Sequence, residues 1–121
     1  MSLALGLLKV FLLVGQSNME GAGAIHADPE RNGGQGSLEH LVRDLATAAR
    51  YAHLVDDAGE WVVRDDVRIS YFEREGGLTV GFGAREDRIG PELGFGHVVG
   101  DRFDEPVLLV KVAWGGKSLA Q

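Results

Sequence analysis

Two apolar runs frame the chain. Residues 7–14 read Leu-Leu-Lys-Val-Phe-Leu-Leu-Val, and residues 107–113 read Val-Leu-Leu-Val-Lys-Val-Ala. Each has the length and β-branched content of a buried parallel strand. Each stops at glycine, Gly15 in the first case and Gly115-Gly116 in the second. Between them, Leu38, Leu41, Val42, Leu45 and Ala49 recur at helical spacing behind Ser37, which predicts an N-capped helix fading near Tyr51. Pro91 opens a second helix at its first position, and Leu93, Phe95, Val98, Val99 and Phe103 carry it onward. Gly94, Gly96 and Gly100 predict that this helix packs closely on a neighbour. Residues 61–63, 67–72 and 78–83 read as short extended pieces, divided by Asp65-Asp66 and by a turn at Gly76-Gly77. They predict a small excursion off the main sheet. A strand, a helical crossover and a second parallel strand imply a right-handed α/β sheet.

The totals sharpen this only a little. The 121 residues, 45% hydrophobic and 25% charged, suit one modest domain with a real core, and no repeat or internal boundary shows. A net charge of -6 argues against nucleic acid or an anionic membrane surface as a partner. The chain has no cysteine, which removes disulfides and thiol chemistry and leaves the redox compartment open. The first apolar run is broken by Lys9 and falls short of the about 20 residues a spanning helix needs. No basic region precedes it, so it does not read as a signal peptide.

The candidate chemistry sits at the end of the first strand. Ser17 lies just past the glycine turn, where open α/β sheets place ligands. A serine on such a turn is either a nucleophile beside oxyanion-binding N–H groups or a plain helix cap. The polar loop at 20–36, with His26, Asp28 and Asn32, is either an active-site loop or a poorly ordered one. Glu92 reads either as a carboxylate reaching the site and a substrate hydroxyl or as a complement to the helix dipole. Gly116-Lys117-Ser118 imitates a phosphate-binding loop, but Lys111 stands where that motif needs its first glycine. No pair of histidines has metal-ligand spacing.

Gly15-Gln16-Ser17-Asn18-Met19 with Gly21 resembles the first block of the SGNH hydrolases. More narrowly it resembles the sialate O-acetylesterase and acetylxylan esterase group, carbohydrate esterase family six. Residues 89–96, Ile-Gly-Pro-Glu-Leu-Gly-Phe-Gly, resemble the family's glycine-rich helix start. Residues 111–119, Lys-Val-Ala-Trp-Gly-Gly-Lys-Ser-Leu, resemble its second block. The resemblance implies a three-layer αβα, flavodoxin-like sheet of parallel strands, incomplete here, with residues 1–121 as the N-terminal portion of a single SGNH hydrolase domain. It implies a serine esterase that removes acetyl groups from carbohydrates without a cofactor. Ser17 would be the nucleophile, Gly116 an oxyanion-hole donor, and Gln16, Asn18, Gly115 and Glu92 would contact substrate.

One element of the pattern is missing. The family's base is a histidine in a later Asp-x-x-His segment. None of His26, His40, His53 and His97 has an aspartate three residues before it. The expectation is therefore a fragment nearly inactive by itself, with His26 the only substitute base in the loop after Ser17. The competing readings are a non-catalytic or degenerate hydrolase piece that binds a glycan, and a flavodoxin-like nucleotide binder. A half-domain would expose sheet faces and an edge, which favours self-association into a homo-oligomer.

Overall fold

The computed structural model describes residues 7–115. Its centre is a four-stranded sheet in the order β1-β6-β3-β4. Strand β1 (Lys9–Gly15) runs parallel to β6 (Val107–Ala113), paired from Lys9 with Val107 to Gly15 with Ala113. Strand β3 (Arg64–Tyr71) runs parallel to β6 on its other side, from Val67 with Val107 to Tyr71 with Lys111. Strand β4 (Arg74–Leu78) closes an antiparallel hairpin on β3. The sheet is mostly parallel and the fold is α/β, as the strand–helix–strand pattern predicts.

The register sorts the sheet into two unlike faces, because successive side chains alternate. Leu13, Val67, Ile69, Tyr71, Val107, Leu109, Lys111 and Ala113 share one buried face. Helix α4 (Pro91–Arg102) covers it, burying Leu93, Gly96, His97 and Gly100 at the spacing of one helical stripe. Helical proximity depends on two missing Cβ atoms. A Cβ on Gly96 would meet the Leu78 and Leu109 side chains, and one on Gly100 would lie 2.6 Å from Val67 Cγ2. Gly94 faces open space and takes no part in this packing.

The opposite face carries Val10, Leu12 and Val14, exposed by 53%, 68% and 42%, beside Leu108, Val110 and Val112. Among the described residues the first strand is thus buried on one face, although its continuous apolar run reads as buried on both. Phe11 belongs to the covered face, stacking edge-on to Phe95 with centroids 5.3 Å apart.

The middle of the chain departs from the sequence reading in several places, among them the extended piece expected at 78–83, of which only Leu78 lies in a strand. The helix behind Ser37 is broken: α2 (Leu38–Arg43) stops at Asp44 in an extended conformation, and α3 (Ala48–Tyr51) and a 3-10 turn (Ala52–Leu54) follow. The cap itself forms, with the His40 N–H donating to Ser37 Oγ at 3.1 Å. Leu45 fits the apolar stripe in sequence, yet it lies in the break and is 96% exposed. Asp65-Asp66 does not divide two pieces, since both residues lie inside β3. Nor is Gly76-Gly77 a turn; both glycines lie inside β4, and the hairpin turns at Phe72-Glu73. Gly77 is there for approach, because a Cβ would run into the Arg64 carbonyl and Val63. The hairpin is part of the main sheet. A further small ladder, β2 (Gly23–Ala24) with β5 (Arg88–Ile89), ties the long loop back to the start of α4.

Candidate active site

Strand β1 ends at Gly15, and the chain turns straight into α1 (Ser17–Glu20). The Met19 and Glu20 N–H groups both donate to the Gln16 carbonyl at 2.9 Å, which fixes the turn. Gln16, Ser17 and Asn18 are all exposed at its outer edge. As the first residue of a helical turn, Ser17 has no intrahelical acceptor for its own N–H. Gly21 ends the turn at φ 89°, and its bare Cα lies against the backbone of Ile89 and Gly90. Any side chain there would collide with that backbone, which gives the motif's last glycine a steric reason.

The described part of the second block, through Gly115, arrives beside the first. The Trp114 N–H donates to the Gly15 carbonyl at 3.3 Å. Gly115 lies against the Glu20 side chain, so closely that a Cβ would sit 2.7 Å from Glu20 Oε1. Gly116, the expected second oxyanion donor, lies outside the described residues.

Beneath this junction lies an ion pair that the sequence reading missed. Lys111 and Glu92 have fully buried side chains, with Nζ 2.7 Å from Oε1. Lys111 also donates to the carbonyls of Glu20 at 2.7 Å and Phe82 at 2.8 Å, and Nζ sits 4.6 Å from the Tyr71 ring centroid. Glu92 Oε2 accepts the Gly90 N–H at 2.9 Å. Burial pushes the Lys111 ammonium below the usual lysine value, and the Glu92 carboxylate pushes it back up. Glu92 is therefore no substrate ligand. It is sealed from solvent and satisfied by Lys111 and by the amide at its own helix start. Its partner was legible in principle: the alternation of β6 puts Lys111 on the same face as Val107, Leu109 and Ala113, and a cation there needs a buried counter-charge.

The histidines are engaged elsewhere. His26 Nδ1 faces Glu39 at 3.7 Å, and no hydrogen bond joins it to Ser17 among the described residues. His40 faces Asp44 at 3.5 Å. His53 stacks edge-on to His97, with centroids 5.0 Å apart. His97 Nδ1 lies 3.3 Å from Arg64 Nη1, so the ring accepts there and carries its proton on Nε2. Arg64 in turn binds Asp66 at 2.8 Å and Asp101 at 2.7 Å. Burial, then the Arg64 charge, then His53 push the His97 imidazole below its ordinary value.

A pocket of about 500 Å³ opens at the carboxyl ends of β3 and β6, bounded by Glu20, Tyr71, Phe72, Arg74, Ala113 and Trp114 among others. It shares Glu20 with the turn that bears Ser17.

With this geometry, the comparison with protein families is specific. Residues 7–121 match the family described as carbohydrate esterase, sialic acid-specific acetylesterase. The chain belongs to this carbohydrate esterase family. Searches of curated proteins and of solved structures gave no match. The match spans both apolar strands, α4 and the Ser17 turn, so the family pattern coincides with the elements that build the site.

Proposed function

We propose that this chain carries the nucleophile and part of the oxyanion hole of a serine-dependent carbohydrate O-acetylesterase. Ser17 Oγ attacks the acetyl carbonyl carbon while a base takes its proton. The tetrahedral oxyanion accepts hydrogen bonds from the N–H groups of Ser17 and Gly116. Collapse expels the sugar oxygen, which is protonated as it leaves. Water then attacks the acetyl-serine and releases acetate. Gln16, Asn18 and Gly115 line the approach to Ser17.

The observation that supports this reading is the Trp114 N–H bond to Gly15, which brings Trp114 and Gly115 to the end of the strand that leads into the exposed Ser17 turn. The base is assigned to the Asp-x-x-His segment characteristic of the family, which these 121 residues do not include. Complete turnover is accordingly proposed for a protein that supplies that segment. The test is aryl acetate hydrolysis by the full gene product and by Ser17→Ala. Loss of at least 1,000-fold in kcat is expected, and equal rates would refute the assignment.

A second reading, a glycan-binding domain without catalysis, draws on the histidines, each of which faces a partner other than Ser17. It predicts sugar binding with no hydrolysis that depends on Ser17.

A further inference from the structure

His97 is 6% exposed, and its two ring nitrogens are treated differently. Nδ1 accepts from Arg64 Nη1 at 3.3 Å, so Nε2 carries the ring proton. Among the described residues, that Nε2–H is buried and has no acceptor. A donor buried unpaired gives up its hydrogen bond to water for nothing, and native folds rarely leave one so. The ring packed against it is His53, which is exposed and sits on the 3-10 turn. An exposed side chain changes rotamer quickly, so the donor lies one ring rotation from a ligand.

Both histidines line a cavity of about 610 Å³ between α4 and the segment that runs from α2 to the 3-10 turn. That volume falls among those of small-molecule sites. The cavity shares no lining residue with the pocket beside the Ser17 turn. Its walls are mainly Leu38, Tyr51, Leu54, Ile89, Leu93 and Val98. Asp101 is the one carboxylate of the described lining, and it is bound to Arg64 at 2.7 Å. Arg50 also lines the cavity; it is exposed and forms no ion pair with a described residue.

We propose that this cavity is a second ligand site, which binds an apolar monocarboxylate of the arylalkanoate kind. One carboxylate oxygen accepts the His97 Nε2–H, and the charge faces Arg50. The proposal is independent of the esterase reading. The chemistry of the lining selects the class. The aliphatic walls favour an apolar body, whose transfer from water drives binding. A sugar or a phosphate would bury several polar atoms against Leu38, Leu54 and Leu93 with nothing to pair them. A carboxylate has its polar atoms at one end, where a buried N–H and an unpaired guanidinium are both available, and bonds to an ionised acceptor are the stronger kind. A cationic ligand would meet Arg50 and find the Asp101 carboxylate already taken by Arg64.

The test is titration of the full gene product with 4-phenylbutyrate, its uncharged amide and the matching amine, read by calorimetry and by nitrogen NMR of the histidine rings. The carboxylate is expected to bind about tenfold more tightly than the amide, and the amine not to bind. The His97 Nε2 resonance is expected to move on binding while Nδ1 remains an acceptor. Gly94 supplies a variant that keeps the fold. It lines the cavity, and a Cβ there meets nothing within 4 Å, so Gly94→Leu fills the space without displacing a neighbour. Its melting temperature should hold or rise while affinity falls about tenfold or more. Arg50→Gln removes an exposed charge and is expected to weaken the carboxylate but not the amide. No binding, equal binding of carboxylate and amide, a still His97 Nε2 signal, or unchanged affinity in Gly94→Leu would overturn the site. An Nε2 signal already hydrogen-bonded in the free protein would overturn it too, since another part of the chain would then hold the place.

Discussion

Lys111 and Glu92 meet at 2.7 Å with neither side chain exposed, and through them β6, α4 and the carbonyl end of the Ser17 turn are joined at one point. A buried pair of this kind is held together as much by the penalty for breaking it as by its attraction. Removing one partner strands a charge; removing both strands none.

The two positions should therefore be strongly non-additive. Lys111→Met and Glu92→Gln are each expected to lower stability by about 3–5 kcal/mol, and the double variant by less than the worse single one. Chemical denaturation of the four proteins in the cycle checks this. Additive losses would mean that the two groups do not act as a pair.

The glycines of α4 separate packing from propensity. Gly96→Ala pushes a methyl against Leu78 and Leu109 and is expected to destabilise by about 1–3 kcal/mol. Gly94→Ala, two residues away and open to solvent, is expected to stabilise by about 0.5–1 kcal/mol through helix propensity alone. Thermal melts of both variants decide it, and the signs should be opposite.

Gly21→Ala should be worse than either. It combines a disfavoured φ of 89° with collision against the backbone of Ile89 and Gly90, which cannot rotate away as a side chain can. A loss of about 2–3 kcal/mol is expected, accompanied by loss of esterase activity, because the turn that ends there carries Ser17.

Much of this fold was legible because its signals were local. The β6 run Val107–Ala113 is a strand over its whole length, and Ser37 and Pro91 start the helices their chemistry predicts. What failed were positions where a residue type serves long-range packing. Gly76 and Gly77 look like a turn in sequence but lie in a strand, with Gly77 keeping β4 close to Arg64. Leu45 fits a helical stripe, yet the helix breaks at Asp44 and exposes it. In the site, the placing of Ser17 at the strand end and of Gly115 beside its turn follows from strand length and the family pattern. Glu92 stayed between two readings in the sequence because its partner, Lys111, is remote along the chain and adjacent only in the folded sheet.

His97 gives the protein an acid-sensitive element. Its imidazole is buried against Arg64 and His53, with Asp66 and Asp101 paired to Arg64, and its folded pKa lies below the unfolded value near 6.5. The unfolded chain therefore binds the proton first. The contribution is fully present above about pH 6.5 and is lost as pH falls below it, by at most about 1.4 kcal/mol per pH unit. Denaturation midpoints between pH 7 and 5 should fall for the wild type and fall less for His97→Gln. Glu39 and Asp66, held below the usual carboxylate range chiefly by bonds from the Ala27 amide and Arg64 respectively, act only in a more acidic window.

The central assignment is Ser17 as the attacking group, and mass spectrometry of the full gene product after treatment with a fluorophosphonate ester addresses it most directly. A single adduct on the peptide containing Ser17, absent from Ser17→Ala and prevented by prior incubation with an acetylated sugar, is the expected result. An unmodified Ser17 in protein that still hydrolyses aryl acetates would contradict it.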